Sequence, residues 1–136
     1  MKLRGECVMS RRSCLIIDEP YISKIIAQKK TWELRRKPTK KREVIALGKK
    51  GTSKAIGTAE IVKCFQMAVD ALCQEKYKDK HCSTPASIRE YAWGKDKQKH
   101  LGSLWVYVLK DAKAIKPTKY SDTRGSWCFV ELEENK

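Results

Sequence analysis

Long apolar runs are missing from this chain of 136 residues. No stretch approaches the ~18–20 consecutive apolar residues of a membrane-spanning helix, and the N-terminus has no secretory apolar core. A soluble protein without a membrane partner is expected, in the cytoplasm or, in a eukaryote, the nucleus. Histidine is scarce: His81 and His100 are the only two, both in lysine-rich polar segments. No serine lies in a GxSxG turn, so a catalytic triad has no support. Neither a GxxxxGK[ST] loop nor a GxGxxG fingerprint occurs, which argues against the common nucleotide-binding α/β folds. The six cysteines (Cys7, Cys14, Cys64, Cys73, Cys82, Cys128) include no CxxC pair, and Cys64, Cys73 and Cys82 fall nine residues apart. That spacing puts no two on one helical turn, so no metal site is expected. In a cytosolic chain these are free thiols rather than disulfides. No cofactor is implied.

Acidic residues are the remaining shortage. Sixteen Asp and Glu face thirty Lys and Arg, leaving a formal charge of +14 and an isoelectric point near 9.6. Such an excess draws a protein toward polyanions, of which nucleic acid is the commonest. The length suits one domain with a real core. Residues 1–12 lack periodicity and carry four basic residues, so they read as a flexible basic arm. Residues 13–136 then form a single domain, expected to be monomeric.

Local patterns place the elements. Cys14–Ile17 is a short apolar run suited to a buried strand. Asp18-Glu19-Pro20 reads as a helix start, with Asp18 as the cap and proline where a missing N–H costs nothing. The helix is expected to reach about Lys29, with Ile22, Ile25 and Ile26 as its apolar stripe. Strands are expected over Thr31–Arg35, Glu43–Leu47, Lys54–Cys64, Ser103–Leu109 and Ser126–Leu132, with Gly57 marking a bulge or a close backbone approach. Met67, Ala68, Ala71 and Leu72 suggest a helix over 65–78, and Thr84-Pro85 opens another. Gly94–Gly102 is a polar break, and Tyr120–Gly125 is turn-forming. Five or six short strands with two or three helices make an α+β domain, expected as a small mixed β-barrel with flanking helices.

Chemistry concentrates in Lys29-Lys30-Thr31-Trp32-Glu33-Leu34-Arg35-Arg36. In a strand, Trp32 and Leu34 share one face and Thr31, Glu33 and Arg35 the other. The apolar face packs on a core, while Lys30 stands at the mouth of a row of hydroxyl, carboxylate and guanidinium. Eight of the fourteen residues from Lys29 to Arg42 are basic, and Glu33 is the only acid among them. A carboxylate between two cations can orient Arg35, accept a hydrogen bond from a base, or act as a general base. The same three residues also suit a plain surface ion pair, worth ~0–1 kcal/mol.

Lys30-x-x-Glu33-x-Arg35, following a helix that begins Glu19-Pro20-Tyr21, resembles the GxKxxExR signature of the ASCH domain family. Gln28 stands where that signature has glycine. Ile56-Gly57-Thr58-Ala59-Glu60-Ile61 and Gly125-Ser126-Trp127 resemble later segments of the family, so the similarity runs from about Cys14 to Leu132. The resemblance implies a PUA-like fold and a cleft, lined by the motif, that binds RNA or a nucleotide. An amidohydrolase branch of the family carries a threonine where this chain has Glu33, which argues against that activity here.

The expected function is therefore RNA binding, to a single strand. Lys30, Glu33 and Arg35 would line the cleft, and Lys29, Arg36, Lys37, Lys40, Lys41 and Arg42 would track the phosphates. The alternative is a hydrolase acting on RNA or modified nucleosides, a ribonuclease or amidohydrolase, with Lys30, Glu33 and Ser126 as catalytic residues. A third is a protein-interaction adaptor using the Trp93–Trp105 region.

Overall fold

The computed structural model describes residues 7–93, 101–121 and 126–135. In chain order these form β1 (Cys7–Ile17), α1 (Tyr21–Ile26), β2 (Trp32–Arg35), β3 (Val44–Lys49), β4 (Lys54–Ala68), α2 (Val69–Leu72), a 3₁₀ turn (Glu75–Tyr77), α3 (Lys78–His81), α4 (Pro85–Trp93), β5 (Ser103–Lys119) and β6 (Trp127–Asn135). The six strands make one sheet in the order β2-β5-β4-β3-β1-β6. All described pairings are antiparallel except β1 with β3.

The α+β class is as expected, but the sheet does not close into a barrel. The segment just after β5 meets β6 at one point, where the Ser121 N–H donates to the Phe129 carbonyl at 2.9 Å. Beyond that point the far half of β5 stays paired with β4, from Lys54↔Lys119 to Thr58↔Lys113. A groove of about 860 Å³ then separates it from β6. Three register shifts in the β4–β5 ladder bend the strands away from a regular closed cylinder.

Several boundaries move. Residues 7–12, expected in the flexible arm, pair with β6, with Cys7 opposite Asn135 and Arg12 opposite Val130. Residues 1–6, most of the polar break at 94–102 and four of the six residues of the turn at 120–125 lie outside the described residues. The helix expected over 65–78 is strand as far as Ala68. Phe65, Met67 and Val69 alternate onto one apolar cluster, so a period of two overrides the helical spacing there. Two very short helices and the 3₁₀ turn fill the remainder.

Gly57 behaves as expected. A ladder irregularity falls at Ala55/Gly57, and a Cβ at this glycine would lie 2.8 Å from the Ile26 side chain and from the Lys113 carbonyl. The glycine lets α1 settle on β4, and Ile22 and Ile25 reach the main core with Leu15, Ile45 and Ile61. A second core joins Trp32 and Leu34 of β2 to Leu72, Ile88 and Leu104. Between them these two cores hold β2 with its apolar face buried and its polar face turned toward α1 and β1.

Candidate nucleic-acid interface

Strand alternation sets the floor of the site. Trp32 stacks on Tyr77 at 5.4 Å and meets Phe65 edge-on at 5.3 Å. That contact commits the next residue, Glu33, to the opposite face. Arg35, two residues on, shares that face, and its Nε and Nη2 both donate to Glu33 Oε2, at 3.0 and 2.6 Å. Arg35 Nη2 also donates to the Ile16 carbonyl at 2.8 Å, tying β2 to the end of β1. The cross-strand partner of Glu33 is Tyr107, whose hydroxyl donates to the Lys37 carbonyl at 2.7 Å and so pins the start of the basic loop. Burial pushes the Tyr107 hydroxyl up to about 12, with the Arg35 charge opposing. Burial also opposes the Arg35 charge, but Glu33 and the neighbouring tyrosines outweigh it and hold the guanidinium above its usual range.

Lys30 lies deeper than its sequence position suggests. It is 2% exposed, and its Nζ donates to the Trp32 carbonyl at 2.6 Å and the His81 carbonyl at 2.5 Å. Glu33 Oε1 is 3.7 Å away. The Thr31 N–H donates to the Lys80 carbonyl at 3.0 Å, so the last carbonyls of α3 are capped by this segment. Burial pulls the Lys30 ammonium below its usual range, and the Glu33 charge works against that. Glu33 thus serves two cations, one oxygen bonded to Arg35 and the other facing Lys30. The junction before Lys30 is tight because Gln28 adopts φ +63°. That left-handed conformation is the one glycine enters freely, which explains the glycine of the signature at this position. Here the Gln28 amide donates to the Ala112 carbonyl at 2.9 Å.

These residues line a cleft of about 900 Å³ between α1, α4 and the ends of β1, β2 and β6. Lys30, Glu33, Arg35, Arg36, Lys37 and Ser126 all contribute to its wall. Five cations (Lys30, Arg35, Arg36, Lys37, Lys50) face two carboxylates (Asp18, Glu33), so the cleft is net positive. Lys29, Lys40, Lys41 and Arg42 do not line it. The Lys29 carbonyl accepts from the Cys82 thiol, and Arg42 folds back on the Thr39 and Lys41 carbonyls. Lys41 reaches the edge, with its Nζ 5.4 Å from the Trp127 ring centroid.

Besides Tyr21, the cleft is lined by three aromatics that sequence patterning missed, Tyr91, Tyr107 and Trp127. Only Tyr107 left a signal, through its alternation in a strand that proves to pair with β2. Patterning also missed His81, which is buried beneath Lys30. His81 Nδ1 accepts from the Ser83 N–H at 3.0 Å, so Nε2 carries the proton and donates to the Leu72 carbonyl at 2.7 Å. Among the described residues no cluster of His, Cys, Asp or Glu is arranged to hold a metal ion, and no helix is long and apolar enough to cross a membrane.

The buried imidazole carries a pH prediction. Burial lowers the His81 pKa from 6.5; the Leu72 carbonyl opposes this and Lys30 reinforces it. His81 is therefore neutral in the fold and titrates first in the unfolded chain. Its stabilising contribution is complete above about pH 6.5 and is lost as pH falls toward the folded value. Stability against thermal unfolding is expected to fall between pH 7 and 5.5, by at most about 1.4 kcal/mol per pH unit. His81→Gln is expected to lose that slope. An unchanged slope in the variant would assign the pH dependence elsewhere.

The ASCH domain profile matches residues 15–125. Crystal structures of an ASCH protein from Zymomonas mobilis have the same fold. The protein itself gives a TM-score of 0.64 at 20% identity, covering 77% of this chain and 71% of that one. Its tyrosine-to-phenylalanine mutant gives 0.65 at 20%, covering 79% and 74%. Its serine-to-alanine mutant gives 0.65 at 21%, covering 79% and 72%. At this identity the likeness establishes the fold, which is consistent with a PUA-like domain. No curated protein matches the sequence.

Proposed function

The chain belongs to the ASCH domain family, whose members are in general RNA-binding PUA-like domains, and from that premise we propose that it binds single-stranded RNA in the cleft over β2. The observation that carries this reading is the wall itself, where Glu33 and Arg35 form a polar floor and Arg36, Lys37 and Lys50 leave the wall with a net positive charge. Glu33 repels a phosphate at the floor, and the basic side chains attract one. Lys40, Lys41 and Arg42, outside the cleft, extend the positive surface along a bound strand.

A second reading, hydrolysis of RNA or a modified nucleoside, is favoured by one observation. The Lys30 ammonium is buried, with a lowered pKa. A neutral Lys30 amine still has two N–H bonds for the Trp32 and His81 carbonyls, and its lone pair is left to act as a base. Incubating wild type and Lys30→Ala with single-stranded RNA and a panel of acylated nucleosides separates the readings. Binding by wild type with no product over time supports a binding module. Product formation that Lys30→Ala abolishes supports the enzyme.

A further inference from the structure

We propose that the cleft takes one unpaired nucleobase, held between the rings of Tyr91 and Trp127. This rests on the RNA reading and names the part of the RNA that enters.

The two rings come from opposite ends of the sheet order. Tyr91 is on α4, whose Ile88 and Ala92 pack in the same core as Trp32 and Leu34 of β2. Trp127 opens β6, which lies at the other end. Both nevertheless line the same cleft. Each ring has a cation against it: the Arg36 guanidinium is 4.8 Å from the Tyr91 centroid and Lys41 Nζ is 5.4 Å from that of Trp127. A cation on an aromatic ring that also borders a cleft suits stacking of a base on the ring and contact with its phosphate from the same side chain.

The floor selects a base over a phosphate. Glu33 Oε2 takes both bonds from Arg35, and Oε1 stands 3.7 Å from Lys30 Nζ, beyond a hydrogen bond. Oε1 is thus an acceptor suited to an N–H, which every nucleobase carries on its pairing edge and a phosphate diester lacks. A base already paired in a duplex has that edge occupied, so the occupant is unpaired. The cations of the wall, Arg36, Lys37 and Lys50, then meet the flanking phosphates.

The test compares an eight-nucleotide single-stranded RNA with a ribose-phosphate chain of the same length that lacks all bases. The wild type is expected to bind the RNA at least about 10-fold more tightly than the abasic chain, as stacking of one base supplies. Tyr91→Ala should lose most of that difference while binding the abasic chain as before. The Arg36 Nε bond survives in this variant, since it goes to the Tyr91 carbonyl. Trp127 packs against the main core, so Trp127→Leu removes the ring while keeping an apolar side chain there. Tyr91→Phe and Trp127→Phe, which retain stacking faces, should stay within about 2-fold of wild type. Equal binding of the RNA and the abasic chain, with strong salt dependence for both, would overturn the base clamp and leave phosphate tracking intact. Binding of neither chain would overturn the RNA reading itself.

Discussion

Glu33→Ala is expected to lower the unfolding free energy by about 3–5 kcal/mol, because it strands two buried cations. Arg35 loses both donors' partner, and Lys30 loses the only carboxylate near it among the described residues. Urea unfolding of the purified protein measures the loss. Removing Arg35 as well should cost less than the sum of the two single changes, since the second deletion relieves the charge left by the first. A loss below about 1 kcal/mol for Glu33→Ala would mean the pair behaves as an exposed surface bridge. The side-chain exposures of 8% for Glu33 and 14% for Arg35 argue against that outcome.

This prediction rests on a feature that was legible in the sequence. Alternation alone puts Trp32 and Leu34 on one face and Glu33 and Arg35 on the other, because a strand's period of two admits no other arrangement. Gly57 was legible for a similar reason, since a glycine inside a strand pattern has few explanations. The depth of Lys30 was not. Its burial comes from α3, which arrives from fifty residues downstream within a segment whose helical spacing proved misleading. Tyr91 and Trp127 were equally hidden: no local pattern joins a helix at one end of a sheet to a strand at the other. The open sheet escaped notice because closure depends on bulges in the β4–β5 ladder, and only Gly57 announced one.

The second large effect concerns binding. Arg36→Glu combined with Lys37→Glu is expected to weaken single-stranded RNA binding by about 50- to 100-fold at 50 mM salt, from the loss of two phosphate contacts. The fold should survive. Arg36 is exposed, and the contact that anchors position 37 uses its backbone carbonyl, which accepts from Tyr107. Lys40→Glu with Arg42→Glu is expected to weaken binding too, but without altering the preference for base-bearing over abasic chains, because neither residue lines the cleft. Fluorescence anisotropy with a labelled oligoribonucleotide reads both pairs. An Arg36/Lys37 variant that binds as well as wild type would move the RNA off this cleft.

The most direct test is the salt dependence of that binding, measured on wild type and the Arg36/Lys37 double variant. RNA held with its phosphates against Arg36 and Lys37 predicts a linear fall of log K with log salt in wild type. Each phosphate neutralised on a single strand contributes about 0.7 to the slope, so the variant's slope should be shallower by about 1.4. Weak, salt-independent binding in wild type, or the same slope in both proteins, would contradict it.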